Sequence, residues 1–207
     1  MSGPERSYGG KTATVRAAER RARLVDATIT VLATSGEAHA TMTAICVEAG
    51  LTERYFYESF TSLDDALLAA LDSVCEEILA LATLVSESTE GSPEVRVHAV
   101  MKAFVTLVSE NPDKVRVAVL HASANPRLRK RRNELLSVFG DFVAREAADL
   151  YGDQAWPAAR ARIHGLVYIA GFSELIASWL TGDVDLTPDE LVETAEDLFA
   201  ALSRRRD

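Results

Sequence analysis

Apolar residues recur along this chain at spacings of three and four rather than two, and the segments patterned this way open on capped prolines and close on glycines. Ser92, Asn111, Asn125 and Thr187 each set an oxygen-bearing side chain before a proline, which has no amide hydrogen to lose at a helix start. Glu190, three residues after Thr187, completes a capping box. Gly36, Gly50, Gly91, Gly152 and Gly182 follow periodic segments as stops. No alternating run bounded by hairpin turns is present, so the pattern predicts an all-α fold with about nine helices.

The expected helices run from about Val15 to Thr34, Thr43 to Ala49, Glu53 to Ser59, Leu63 to Ser86, Pro93 to Glu110, Pro112 to Ser123, Pro126 to Tyr151, Pro157 to Thr181 and Pro188 to Arg204. Two very short helices give way to long ones between Phe60 and Leu63. That shift divides the chain into an arm (1–13), a small helical domain (14–62) and a larger one (63–207). Met1 to Gly10 lacks apolar periodicity and is expected to be disordered by itself.

Two short helices around a turn at Gly50 make a helix-turn-helix, whose second helix can lie in a DNA major groove. Tyr55, Phe56, Tyr57 and Phe60 are too close together to share one apolar stripe. Ile45, Ala49, Leu51, Phe56 and Phe60 form the inward set, packing on Leu24, Thr28, Ile29 and Leu32 of the first helix. Glu53, Arg54, Tyr55 and Tyr57 then face outward or sit at the edge, next to Thr52 at the helix start. Arg54 can donate two parallel hydrogen bonds to a guanine edge, and the tyrosines can meet thymine methyls or phosphates. Thr41 and Thr43 can bond phosphate beside free amides, and Thr41 serves equally as a plain helix cap.

Charge alters this picture in a local way. The first 25 residues carry six basic side chains, Arg16, Arg20, Arg21 and Arg23 among them, against two acids, a balance of +4 in a chain of net charge −9 that leaves −13 for the rest. A pI near 5.0 argues against nucleic-acid binding through overall charge, yet a basic arm on an acidic body suits local phosphate contact. Arg16, Arg20 and Arg23 are therefore candidates for flanking phosphates or the minor groove.

The stretch "ATMTAICVEAGLTERYFYESFTSLDDAL" resembles the DNA-binding domain of the TetR (tetracycline repressor) family, over roughly residues 20–70. Thr41, Ile45, the Ala49-Gly50 turn, Leu51-Thr52, Tyr57 and Phe60 agree in register with that family's pattern. The resemblance implies a cytoplasmic homodimer on a near-palindromic DNA operator, acting most often as a repressor. It also implies a C-terminal helical domain that binds a small-molecule effector and releases the DNA. Two positions depart from the pattern. Leu63, followed by Asp64 and Asp65, stands where many members have a phosphate-binding lysine, and Arg54 stands where glycine is frequent. Phosphate anchoring is thus expected to lean on the arm.

By the same resemblance the last two helices form the dimer surface, with Gly165, Tyr168, Phe172, Ile176, Trp179, Leu191 and Leu198 as candidates. "GLVYIAGFSELIASWL" supports this, because a helix apolar nearly all round needs cover on several sides, and Gly165, Ala170 and Gly171 permit close approach. The run contains Glu174 and is shorter than a bilayer span, so it is expected to be a buried helix, with no membrane partner. Phe104, Val108, Leu120, His121, Phe139, Phe142, Tyr168 and Phe172 are candidate lining for an effector pocket, and they serve equally as plain core. His121 and Glu174 would be its polar anchors. "PRLRKRRNE" reads either as an anion attractor or as a solvated face paired with nearby acids. Cys46 and Cys75 read as core residues, and no metal, cofactor or catalytic spacing occurs. The reading is a DNA-binding regulator and no enzyme; the alternative is a helical sensor or adaptor without DNA binding.

Overall fold

Thr12 starts the first helix by accepting the Val15 amide on its hydroxyl at 3.2 Å, which satisfies one of the free N–H groups every helix start carries. The computed structural model describes residues 12–119 and 125–205. Among these the chain forms nine α-helices: α1 (Ala13–Ser35), α2 (Met42–Ala49), α3 (Glu53–Ser59), α4 (Leu63–Ser88), α5 (Pro93–Glu110), α6 (Pro112–Val119), α7 (Pro126–Tyr151), α8 (Ala158–Thr181) and α9 (Pro188–Ser203). The expected disordered stretch, Met1 to Gly10, and the expected end of the sixth helix, Leu120 to Ser123, lie outside the described residues. Predicted caps form at Asn125, which accepts two amides, and at Thr187, where the reciprocal capping box with Glu190 closes.

The first core is built on α1. Leu24, Thr28, Ile29 and Leu32 are buried against Ile45, Ala49, Phe56 and Phe60, with Leu51 half-buried at the rim. Thr28 is tolerated there because its hydroxyl donates to the Leu24 carbonyl at 2.7 Å. This core runs past residue 62 without a break: Ala66, Leu67, Ala70, Leu71, Val74 and Cys75 of α4 belong to it, as do Val117 of α6 and Leu128 and Leu135 of α7. A second cluster joins α5, α6, α8 and α9 around Val108, Val115, Ile176 and Leu191. A third joins α5, α7, α8 and α9 around Val97, Val143, Tyr168 and Phe199. Neighbouring residues of α6 thus face different cores, Val117 toward the helix-turn-helix and Val115 toward α8 and α9.

α8 corrects two expectations. Gly165, Tyr168, Phe172, Ile176 and Leu191 are buried within the single chain and have no surface left for a second copy, and Trp179 is half-buried with its indole N–H on the Leu186 carbonyl at 2.8 Å. Nor is α8 buried all round. Ile163 (63% exposed), Val167 (55%) and Leu166 (41%) line its outer face, and Leu198 of α9 is also exposed. By length and composition alone α8 is long and apolar enough to cross a membrane, but its exposed residues include Arg160, Arg162 and Glu174.

The small residue at 165 serves α7 rather than a partner. A Cβ there would collide with the Gly140 carbonyl oxygen, and a Cβ on Gly140 would sit 2.9 Å from the Leu166 amide nitrogen, so the two backbones meet through paired glycines. Gly171, six residues on, has open space around it. We expect Gly165→Ala to destabilise the fold by about 1–3 kcal/mol through overpacking and Gly171→Ala, which has room for its methyl inside a helix, to stabilise it by about 0.5–1 kcal/mol. Equal thermal-melt shifts for the two variants would contradict this packing.

Candidate nucleic-acid interface and ligand channel

The helix-turn-helix is tightened by local devices. Thr41 caps α2 by accepting the Ala44 amide at 3.1 Å, and Gly50 turns the chain in the left-handed region at φ 60°, where its lack of Cβ removes the strain. Thr52 opens α3 without a capping bond from its side chain. Phe56 and Phe60 point inward with ring centroids 5.5 Å apart. The free face then presents Glu53, Arg54 and Tyr57, the last 62% exposed, with Thr43 exposed on α2.

The α1 arginines are used differently from the expectation that they reach for phosphate. Arg20 stacks over the Tyr55 ring at 4.5 Å and pairs with Glu58 at 3.5 Å, so Tyr55 is half-buried. Arg23 donates to the Ala49 carbonyl at 2.5 Å, closing the end of α2, and Arg21 lies over Phe60 at 4.9 Å. Three guanidinium groups therefore clamp α2 and α3 to α1. Arg16 is exposed near the start of α1. Arg54 is 84% exposed along its side chain and bonds Glu58 at 3.0 Å, an i,i+4 pair that water screens.

At the start of α4 the acids that follow Leu63 have partners of their own. Ser62 caps the helix, Asn125 donates to Asp64 at 2.8 Å, and Arg127 bonds Asp64 at 3.2 Å and Asp65 at 3.1 Å. Three more cations of the run are paired as well, Lys130 with Glu134 at 4.0 Å, Arg131 with Asp72 at 2.7 Å and Arg132 with Glu174 at 3.1 Å. Of the two readings of "PRLRKRRNE", the structure shows the acid-paired one. The pairs between helices tie the first turns of α7 to α4 and α8.

Where the three cores fail to merge, a cavity of about 150 Å³ remains between α4, α5, α7 and α8. Leu71, Cys75, Ile78, Ala82 and Ser86 line it from α4, and Arg132, Leu135, Phe139, Phe142, Val143 and Glu146 from α7. These helices run side by side in the same direction, since Asp72 meets Arg131 and Ser86 meets Glu146. The cavity is therefore a channel that follows them for fifteen residues of α4, about 22 Å at the helical rise. Phe104, Tyr168 and Phe172 close another side, with Tyr168 stacked on Phe172 at 5.9 Å.

Five candidates, Phe104, Phe139, Phe142, Tyr168 and Phe172, thus line the channel. Val108 is not among them; it packs in the cluster of α5, α6, α8 and α9. Nor is Glu174: its side chain is 72% exposed and reaches Arg132 from outside. Leu120 and His121 lie outside the described residues. The polar groups that do line it, Ser86, Arg96, Arg132, Glu146 and Ser173, were missed. Their signal was present as breaks in the apolar stripes of α4 and α7, at Ser86 and Glu146. Burial pushes the Cys75 thiol up to about 12 and also raises Cys46, which leaves neither thiol ionised for nucleophilic work near neutral pH. Among the described residues no group of three or more His, Cys, Asp or Glu is placed to hold a metal.

Neither protein-family models nor curated protein sequences match this chain. Solved structures do, at low sequence identity. The fatty acid degradation regulator FadR from Bacillus halodurans aligns with a TM-score of 0.74 at 17% identity, covering 95% of this chain and 100% of that one. FadR from Bacillus subtilis in complex with stearoyl-CoA aligns at 0.71 and 18%, over 86% and 96%. A TetR-like transcriptional regulator from Rhodococcus sp. RHA1 aligns at 0.68 and 15%, over 92% and 97%. The chain has the fold of TetR-type transcriptional regulators.

The Asp65 carboxyl is held below the usual carboxylate range, first by the Thr61 hydroxyl and then by Arg127 and Ser62. A carboxylate lowered by folding contributes stability above its unfolded pKa of about 4 and loses that contribution as pH falls through the folded value. Asp65→Asn should therefore lower the melting temperature at pH 7, with a deficit that shrinks at pH 3. A deficit of equal size at both pH values would remove the ionic tie between α4 and α7 from the account.

Proposed function

We propose that this protein is a ligand-responsive transcriptional regulator that binds a near-palindromic operator as a homodimer, acts as a repressor and is released by a small amphipathic effector. The observation that carries this reading is the α3 surface: Phe56 and Phe60 are locked inward, so Tyr57 and Arg54, the latter held only by its exposed pair with Glu58, are presented where a recognition helix meets base edges. Glu53, Thr52 and Thr43 border the same face, and Thr41, Arg16 and the outer edges of the Arg20 and Arg23 guanidinium groups supply flanking phosphate contacts. A repressor of this kind works in the cytoplasm and catalyses nothing.

Ile163, Leu166 and Val167 at i, i+3 and i+4 on α8, continued by Leu198 on α9, give the two-fold partner its apolar surface. The solved neighbour with stearoyl-CoA supports an effector with a long apolar chain, which matches the length of the lining, and the cavity of about 150 Å³ has to widen to admit it. One observation favours the second reading, a sensor or adaptor without DNA binding. Glu53 and Glu58 leave α3 with a net negative charge, and the acids at the start of α4 repel phosphate.

Fluorescence anisotropy on duplexes tiling the DNA beside the reading frame, at two salt concentrations with random duplex as competitor, separates these. The regulator binds one two-fold tile with an affinity that falls steeply with salt. Arg54→Ala then relaxes its preference by about 5–100-fold, the range for one bidentate base contact, and Val167→Glu on the α8 face weakens two-fold binding without altering the melt of the single chain. No tile above random at either salt leaves a distant operator or the adaptor, and shifts the weight to the adaptor.

A further inference from the structure

We propose that the end of the channel farther from the helix-turn-helix is a subsite for a neutral hydroxyl group, so that the preferred ligand is a long apolar molecule with an anion at one end and a hydroxyl at the other. This rests on the reading of the channel as a ligand site. Arg132 and Glu146 line the channel from one face of α7, fourteen residues or about 21 Å apart. Between them the α7 wall is hydrocarbon and aromatic, so a ligand can meet polar groups chiefly at its two ends.

The far end is a polar cluster with one vacant donor. The Ser86 hydroxyl donates to Glu146, and Arg96 donates to Ser86 at 3.4 Å and to Asp149 at 3.1 Å, with Glu146 at 3.9 Å. The Arg96 Nε–H is buried and has no partner. A guanidinium N–H left unpaired beside hydrocarbon costs free energy, which the methyl end of a saturated chain would do nothing to relieve.

Charge selects the group that fits. One guanidinium faces two carboxylates, so the cluster carries a net −1 and disfavours a further carboxylate. A hydroxyl adds no charge, accepts from Arg96 Nε–H and donates to the Glu146 carboxylate. The near end differs: among the described residues Arg132 is the one charged group that lines it, it donates to the Ser173 hydroxyl at 3.2 Å, and its acid partner Glu174 lies outside the channel with its side chain 72% exposed. The anion of the ligand belongs there, about one and a half helical turns past Arg127 and its tie to α4.

The test compares palmitic acid with ω-hydroxypalmitic acid by isothermal titration calorimetry on the full chain, below their aggregation concentrations. The wild type should bind the hydroxylated acid about ten-fold more tightly or better, the factor expected for one hydrogen bond to a charged partner. Arg96→Lys keeps the positive charge beside Glu146 but lacks Nε–H. It should bring the ratio near one while palmitic acid itself binds within about three-fold of wild type, and a melt beside wild type's certifies that the variant is folded. Equal binding of the two acids by the wild type, or an undiminished preference in the variant, overturns the hydroxyl subsite and leaves the channel reading standing. Heat from neither acid overturns the channel reading, and the subsite with it.

Discussion

α4 is buried on two sides, and the rest of the molecule is arranged by that fact. Ala66, Leu67, Ala70 and Leu71 complete the core that α1, α2 and α3 cannot close by themselves, while Leu71, Cys75, Ile78 and Ala82 form a wall of the channel. Leu71 and Cys75 belong to both sets. A bundle of three helices in which α2 and α3 have eight and seven residues offers little apolar area of its own, so burial against α4 is what holds its geometry. Whatever moves the α4 wall of the channel thereby acts on the platform that carries α3.

Charge pairs and one hydroxyl–carboxylate bond set the register of that wall. Asp64 and Asp65 on Arg127, Asp72 on Arg131, and Ser86 on Glu146 hold α4 against α7 at both ends and the middle. The exposed pairs contribute little energy individually, but together they fix how α4 slides or tilts relative to α7. The paired glycines at 140 and 165 then hold α7 against α8, so the channel has a stiff wall on one side and a helix tied by ions on the other.

Much of this was legible in the residues. The helix starts, the left-handed turn at Gly50 and the split of Phe56 and Phe60 from Tyr57 follow from capping chemistry and local periodicity, which act over four residues or fewer. α8 was not legible in the same way. A helix apolar nearly all round carries no periodicity to say which face meets its own chain, so Tyr168 and Phe172 were assigned both to a pocket and to a partner surface, and Ile176 to the partner surface, when all three line the interior. The uses of Arg127, Arg132 and Arg96 depend on partners more than forty residues away or on a buried orphan atom, and no spacing rule reaches that far. The α1 arginines show the same limit: their charge suggested phosphate, and the fold spends much of it on Tyr55, Glu58 and the Ala49 carbonyl.

The central claim is that the helix-turn-helix and the channel wall share one core through α4. Native-state hydrogen exchange in increasing denaturant measures this directly, by the free energy at which each segment's slowest amides open. The slowest amides around Leu24, Ile45 and Phe56 should open together with those around Leu71 and Leu135, at a single free energy. Exchange of α1, α2 and α3 through an opening of much lower energy, with α4 and α7 still protected, would show two separate cores and contradict the coupling.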